Sequence, residues 1–156
     1  MVASPKDEGT ARLRSDDRLE GSVMSQLTLA MNLIVRPFGD QHAKRLDLSL
    51  TEWRVVKALA AEPERSGEEV ARASFTERMA VSRALRRLES QGRAVRRKAP
   101  EDRKKNLWRL TEDGWAVFDE MAPLAEAHQR AMLSRLSAAE RAAFADALAR
   151  IIEGAS

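Results

Sequence analysis

The amino-acid sequence predicts a mainly helical protein with one small β element, and three observations lead to that class. Apolar residues recur at spacings of three and four through both ends of the chain, which is the period of a helix with one buried face. Helix-start signatures punctuate the middle and the C-terminal part. Between the helical segments one short region, Arg93 to Thr111, departs from helical period, and it reads as two strands around a charged loop.

Taken in order, residues 1–16 lack apolar periodicity and are expected to form a disordered N-terminal tail. Leu19, Val23, Leu27, Met31 and Ile34 then mark a helical stretch over 18–46. Pro37 should kink or split it, because proline lacks the amide donor and its ring clashes with the preceding turn. Ser49-Leu50-Thr51-Glu52 is a capping box, in which a hydroxyl and a carboxylate satisfy each other's orphan amides. It opens a helix with Trp53, Val56, Leu59 and Ala60 on one face, ending near Ala61 before Pro63. A second box, Ser66-Gly67-Glu68-Glu69, opens a short helix with Val70 and Ala73 inward. Ser74-Phe75-Thr76 reads as a turn into a helix from Glu77 to Gln91, whose inward face is Val81, Ala84, Leu85 and Leu88. Gly92 stops it.

The strands are expected over 93–98 and 107–111, joined by a loop from Ala99 to Asn106. Thr111 with Glu112 and Asp113 caps a long helix over 113–136, bent near Pro123. A third capping box, Ser137 to Glu140, opens a last helix over 138–153 with Phe144, Leu148, Ile151 and Ile152 on its apolar side. The chain thus divides into a tail (1–16), an N-terminal helical region (17–48), a central lobe (49–112) and a C-terminal helical region (113–156).

Charge is distributed unevenly. The 156 residues contain 27 Lys+Arg and 24 Asp+Glu, a net of +3. Between Ser66 and Leu110, 13 Lys/Arg stand against 6 Asp/Glu, a net of +7, so the remainder sums to −4. One lobe carries the whole positive excess, which is the electrostatic footprint expected of a surface that meets nucleic acid. Cysteine is absent, which excludes disulfides, thiolate nucleophiles and Cys-ligated zinc. The histidines are His42 and His128, too few for a multi-His metal site, and no phosphate-binding glycine loop occurs. No catalytic residue, metal or cofactor is therefore expected, and enzymes are disfavoured. No signal-peptide or membrane-spanning run is present, so a cytoplasmic location is expected.

Two short helices joined by a tight turn and followed by a two-stranded wing make a winged helix-turn-helix. In that module the second helix enters the DNA major groove and the first braces it. Thr76, Arg78, Met79 and Ser82 lie nearest the base edges in such a pose, with Arg83, Arg86 and Arg87 on the front and flanks. Arginine can bond guanine in two places, and hydroxyls serve bases or phosphates. Arg103, Lys104 and Lys105 at the hairpin tip suit the adjacent minor groove, whose negative potential attracts cations. Asp102 is expected to orient Arg103 or Lys104 through a charge-assisted bond.

Four ordered segments carry a family resemblance: Gly67-Glu68-Glu69-Val70-Ala71, Met79 through Gly92, Pro100-Glu101-Asp102-Arg103-Lys104, and Leu110-Thr111-Glu112-Asp113-Gly114. Together they resemble the MarR family of bacterial regulators over about 50 residues, and the flanking helices match its layout more loosely. The resemblance implies a dimeric winged-helix repressor released by a small aromatic or phenolic molecule. The family's wing usually reads Asp, a basic residue, then Arg. Here Lys104 takes the last place, leaving Arg103 and Lys104 both as candidates for the groove.

A single module reads few base pairs, so a homodimer on a palindromic operator, with half-sites about one helical turn apart, is expected. Leu19, Val23 and Leu27 near the start, with Leu133, Leu136, Phe144, Leu148 and Ile151 near the end, are the candidate dimer residues. A ligand would sit between the DNA-binding lobe and these helices, where pockets favour element junctions. Met31, Asn32, Val35, Arg36 and Phe38, with Trp53, are the candidate lining; Arg36 would pair an aromatic carboxylate or phenolate and Trp53 would stack on its ring. The competing reading is a non-sensing architectural or accessory DNA-binding protein on the same fold.

Overall fold

Three capping boxes open helices where the sequence places them. In the computed structural model, which describes residues 22–35 and 44–154, Ser49 caps a helix and accepts the Glu52 amide, while the Glu52 carboxylate accepts the Ser49 amide at 2.7 Å. Ser66 and Glu69 repeat the arrangement, and so do Ser137 and Glu140. The order is α1 (Val23–Val35), α2 (Leu50–Ala61), β1 (Arg65–Ser66), α3 (Gly67–Ser74), α4 (Arg78–Ser90), β2 (Ala94–Lys98), β3 (Asn106–Leu110), α5 (Glu112–Leu133) and α6 (Ala138–Gly154). Leu19, Arg36, Pro37, Phe38, His42 and the tail over 1–16 lie outside the described residues.

The core belongs to the central lobe. Val55, Val56 and Leu59 of α2, Val70 of α3, and Val81, Leu85 and Leu88 of α4 are fully buried. Trp108 and Leu110 close the core from β3, and Val117 and Met121 close it from α5. Helix α2 is buried on more than the single face expected, because α3, α4, β3 and α5 all pack on it. In α3 the inward residues are Val70, Ala71 and Ser74, and Ala73 faces solvent. The buried arc runs from Val70 through Ser74 to Ala71, and Ala73 falls off its other edge, on the far side of Val70, which corrects the inward expectation.

The wing has one strand more than expected. Its order is β1-β3-β2, antiparallel throughout, with Arg65 opposite Trp108 and Arg96 opposite Trp108 on the other side. Strand β1 is two residues long, too short to show any alternation. Helix α5 runs through Pro123 and ends at Leu133, three residues earlier than expected. The Leu136 amide closes the following turn on the Leu133 carbonyl at 3.1 Å. Helices α1 and α6 bury none of their residues. Among the described residues no helix is long and apolar enough to cross a membrane.

The turn between α3 and α4 carries an unusual residue. Phe75 adopts the left-handed conformation (φ 49, ψ 45) and is 85% exposed. It ends α3 as a left-handed cap, with the Thr76 amide reaching back to the Ala71 carbonyl at 3.1 Å. A bulky L-residue there costs about 1–2 kcal/mol, and so exposed a ring returns little by packing. Glycine removes that cost but adds roughly 0.4–1 kcal/mol of unfolded-state entropy. Phe75→Gly is therefore expected to raise stability by about 0.5–1 kcal/mol, measured as a higher urea midpoint at unchanged slope.

Candidate nucleic-acid interface

Helix α4 separates a core face from a polar front. Val81, Ala84, Leu85 and Leu88 are buried, while Met79, Ser82, Arg83 and Arg86 form the outward stripe at spacings of three and four. Glu77 caps the helix, its two carboxylate oxygens accepting the Met79 and Ala80 amides at 2.9 Å each. These bonds hold the Glu77 carboxyl below the usual range. The second and third amides of the helix are thus occupied by the protein's own anion, which leaves the side chains as the main recognition groups at this end. Arg78 stands 3.5 Å from Glu68, both exposed, an ion pair weak enough to exchange for a phosphate or base. Thr76, half-buried, donates its hydroxyl to the Ser74 carbonyl at 3.0 Å and so braces the turn.

The wing stands beside this front. A trough of about 570 Å³ runs between α4 and the sheet, lined by Arg78, Met79, Ser82 and Arg86 on one wall and by Arg96 and Lys105 on the other. Arg96 lies outside the set of contacts that the sequence predicts. Its guanidinium lies 5.6 Å from the centre of the Trp108 ring and 3.1 Å from Glu89. Period-two alternation from the buried Ala94 is the signal that points to it, since it puts Arg96 on the face of the sheet that bears Trp108.

At the tip, Asp102 accepts the Lys104 amide at 2.9 Å, and its own carbonyl accepts the Lys105 amide at 2.9 Å. Asp102 therefore shapes the turn through the main chain rather than by pairing with the Arg103 or Lys104 side chain. Lys105 stands 3.6 Å from Glu69 of α3. Arg103 and Lys104 are exposed and have no carboxylate partner among the described residues.

Arg87 is placed differently from its neighbours. Its guanidinium lies 2.8 Å from the buried Glu52 and 2.7 Å from Asp47. Gln91 and Arg93 converge on the same corner, with Arg93 reaching the Leu46 carbonyl at 2.5 Å. The C-terminal end of α4 thus clamps the segment that enters the lobe from the N-terminal side, and Arg87 belongs to that clamp rather than to the outward stripe.

Behind the lobe lies a second cavity of about 350 Å³ between α1, α2 and α5. Met31, Val35 and Trp53 of the expected set line it, and Asn32 does not. Helix α5 contributes Met121, Ala125 and His128, at spacings of four and three, which sequence reasoning does not single out. Trp53 is 2% exposed and stacks on Phe118 at 5.8 Å, so it is a core residue with one edge on the cavity. His128 Nε2 is buried without a hydrogen-bond partner among the described residues. Lys57 at the rim is lowered from the usual lysine range by burial and then by the neighbouring Arg54. Among the described residues no group of three His, Cys, Asp or Glu is placed to hold a metal ion.

The likeness to known proteins follows this geometry. A sequence profile of the MarR family matches residues 46–105. An uncharacterised HTH-type transcriptional regulator of Bacillus subtilis (strain 168), YdgJ, is 40% identical over 72 residues. That alignment covers 46% of this chain and 44% of YdgJ, so the chain spans under half the length of that curated relative. The solved structure of Bordetella bronchiseptica BpsR, whose DNA binding is regulated by 6-hydroxynicotinic acid, superposes with a TM-score of 0.73 at 28% identity, covering 83% of this chain and 97% of BpsR. Streptomyces coelicolor PcaV, solved with its natural ligand, shares the fold over the full length of both chains at a TM-score of 0.72 and 22% identity. Residues 46–105 thus carry the sequence pattern of the MarR family, set on a winged helix-turn-helix fold that the chain shares with solved transcriptional regulators.

Proposed function

We propose that this protein is a homodimeric, sequence-specific DNA-binding repressor whose grip on a palindromic operator is released by a small aromatic acid. The observation that carries the DNA reading is the paired display of α4 and the wing. Arg86, Arg103 and Lys104 stand exposed with no carboxylate partner among the described residues, on the lobe that holds the protein's whole positive excess. Unpaired cations exchange only small counterions for phosphate, and that release drives association.

Dimerisation is supported by the apolar surface of the terminal helices. Val23 is 67% exposed, Leu133 38%, Phe144 43% and Ile151 50%, while Leu27, Leu136 and Leu148 are half-buried. Aliphatic and aromatic residues at that density are the mark of a surface that a second copy covers. The acid is supported by the second cavity. Its apolar walls suit a ring, an anion would relieve the repulsion between Arg54 and Lys57, and His128 Nε2 offers a buried polar partner. BpsR, regulated by 6-hydroxynicotinic acid, is a relative of this kind.

Selection of bound duplexes from a random pool tests the reading. The protein should enrich a two-fold symmetric site and keep a specific-to-non-specific ratio above about 10³ at physiological salt. A non-sensing accessory protein would enrich nothing and bind by charge alone. Arg103→Ala and Lys104→Ala should each weaken binding to all sequences, and the slope of log K against log salt should fall by about 0.9 for each phosphate that is no longer neutralised. Unchanged slopes in both would remove the wing from the interface. Aromatic acids should shift tryptophan emission and release the selected duplex together.

A further inference from the structure

The recognition helix opens on an apolar side chain that the fold leaves in solvent. Met79 is the second residue of α4 and is 62% exposed, although the same helix sends Val81, Ala84, Leu85 and Leu88 into the core. Met79 heads the outward stripe and lines the trough with Arg78, Ser82 and Arg86. With the Met79 and Ala80 amides both taken by Glu77, the backbone donors beside Met79 are already occupied by the protein's own carboxylate. This tip offers a thioether flanked by a guanidinium and a hydroxyl. The surrounding lobe, at +7, selects a polyanion as the occupant of that surface.

Only one base presents an apolar group in the major groove, and that is thymine through its C5-methyl. We propose that Met79 is a specificity-determining residue that packs against the methyl group of one thymine in each half-site. Methionine suits the task, because its unbranched, polarisable chain can adjust its reach to a methyl group whose depth varies with local groove shape. Arg78 and Ser82 on either side would then bond the neighbouring base edges or phosphates. This proposal rests on the DNA-binding reading above and adds to it the identity of one base.

The test removes the methyl and nothing else. Once the enriched duplex is in hand, each thymine of its half-site is replaced in turn by deoxyuridine, and affinity is measured with the full chain at physiological salt. One symmetry-related pair should matter, with wild-type affinity falling about fourfold per half-site (about 0.8 kcal/mol, the burial of one methyl-sized group). Met79→Ala should bind the thymine and deoxyuridine duplexes equally, while keeping the wild-type salt slope and thermal midpoint. The proposal is overturned if wild-type protein ignores every replacement, or if Met79→Ala retains the same penalty. Enrichment of no sequence at all would instead sink the DNA-reading function itself, a different outcome from a selected duplex indifferent to deoxyuridine.

Discussion

Gly114→Ala should lower folding stability by about 2–3 kcal/mol, a large change for a single methyl group. Gly114 is buried in the first turn of α5, where an added Cβ would fall 2.0 Å from the Arg93 carbonyl oxygen and 3.1 Å from its carbon. Those atoms are main chain and are held in place. The Arg93 carbonyl accepts the Thr111 amide at 3.1 Å, and the Arg93 amide donates to the Leu88 carbonyl at 2.8 Å. Thr111 adds two bonds, donating its hydroxyl to the Gly92 carbonyl and accepting the Gly114 amide. Neither side can retreat by rotating a side chain, so α5 must move away from the junction of α4 and β2. Urea unfolding will show the loss as a lower midpoint. The same shift separates the wing from the C-terminal helices, so operator affinity should fall with it. A midpoint within about 0.5 kcal/mol of wild type would mean that the junction yields freely.

Arg87→Ala should cost about 2–3 kcal/mol of stability, because it strands a buried carboxylate. Glu52 is 3% exposed and has two acceptors in use, one on the Ser49 amide and one on Arg87. Arg87 is itself half-exposed, which keeps the effect below that of a fully buried pair. A double-mutant cycle separates the cause from simple loss of packing. Glu52→Gln preserves the capping box and removes the charge. In the Arg87→Ala background it should therefore recover about 1 kcal/mol, whereas in the wild-type background it should destabilise. Were Arg87 bound to phosphate instead, its removal would lower the salt slope of DNA binding and leave the urea midpoint in place.

How much of the fold is legible in the sequence depends on how far apart along the chain the interacting groups lie. Each capping box needs only residues three apart, and the amphipathic faces of α2 and α4 need only spacings of three and four. Val56, Leu59, Val81, Leu85 and Leu88 accordingly fall in the core by spacing alone, and the stop at Gly92, whose φ is 73, is equally local. Strand β1 is illegible, because two residues carry no period and its partner β3 lies some forty positions away. Arg87 illustrates the same limit within the site. By spacing it is one more basic residue beside Arg83 and Arg86, and only the return of Asp47, forty residues earlier, assigns it to the clamp.

Local chemistry alone therefore determined the helix-turn-helix, its wing, the concentration of positive charge and the stripe that begins at Met79. The tertiary structure decided which of those cations remain unpaired, why Gly114 admits no side chain, and that α5 supplies His128 to the cavity behind the lobe. The reason is physical. Helix period and capping energies act within one or two turns of chain, whereas burial, ion pairing and close approach depend on segments brought together from tens of residues apart.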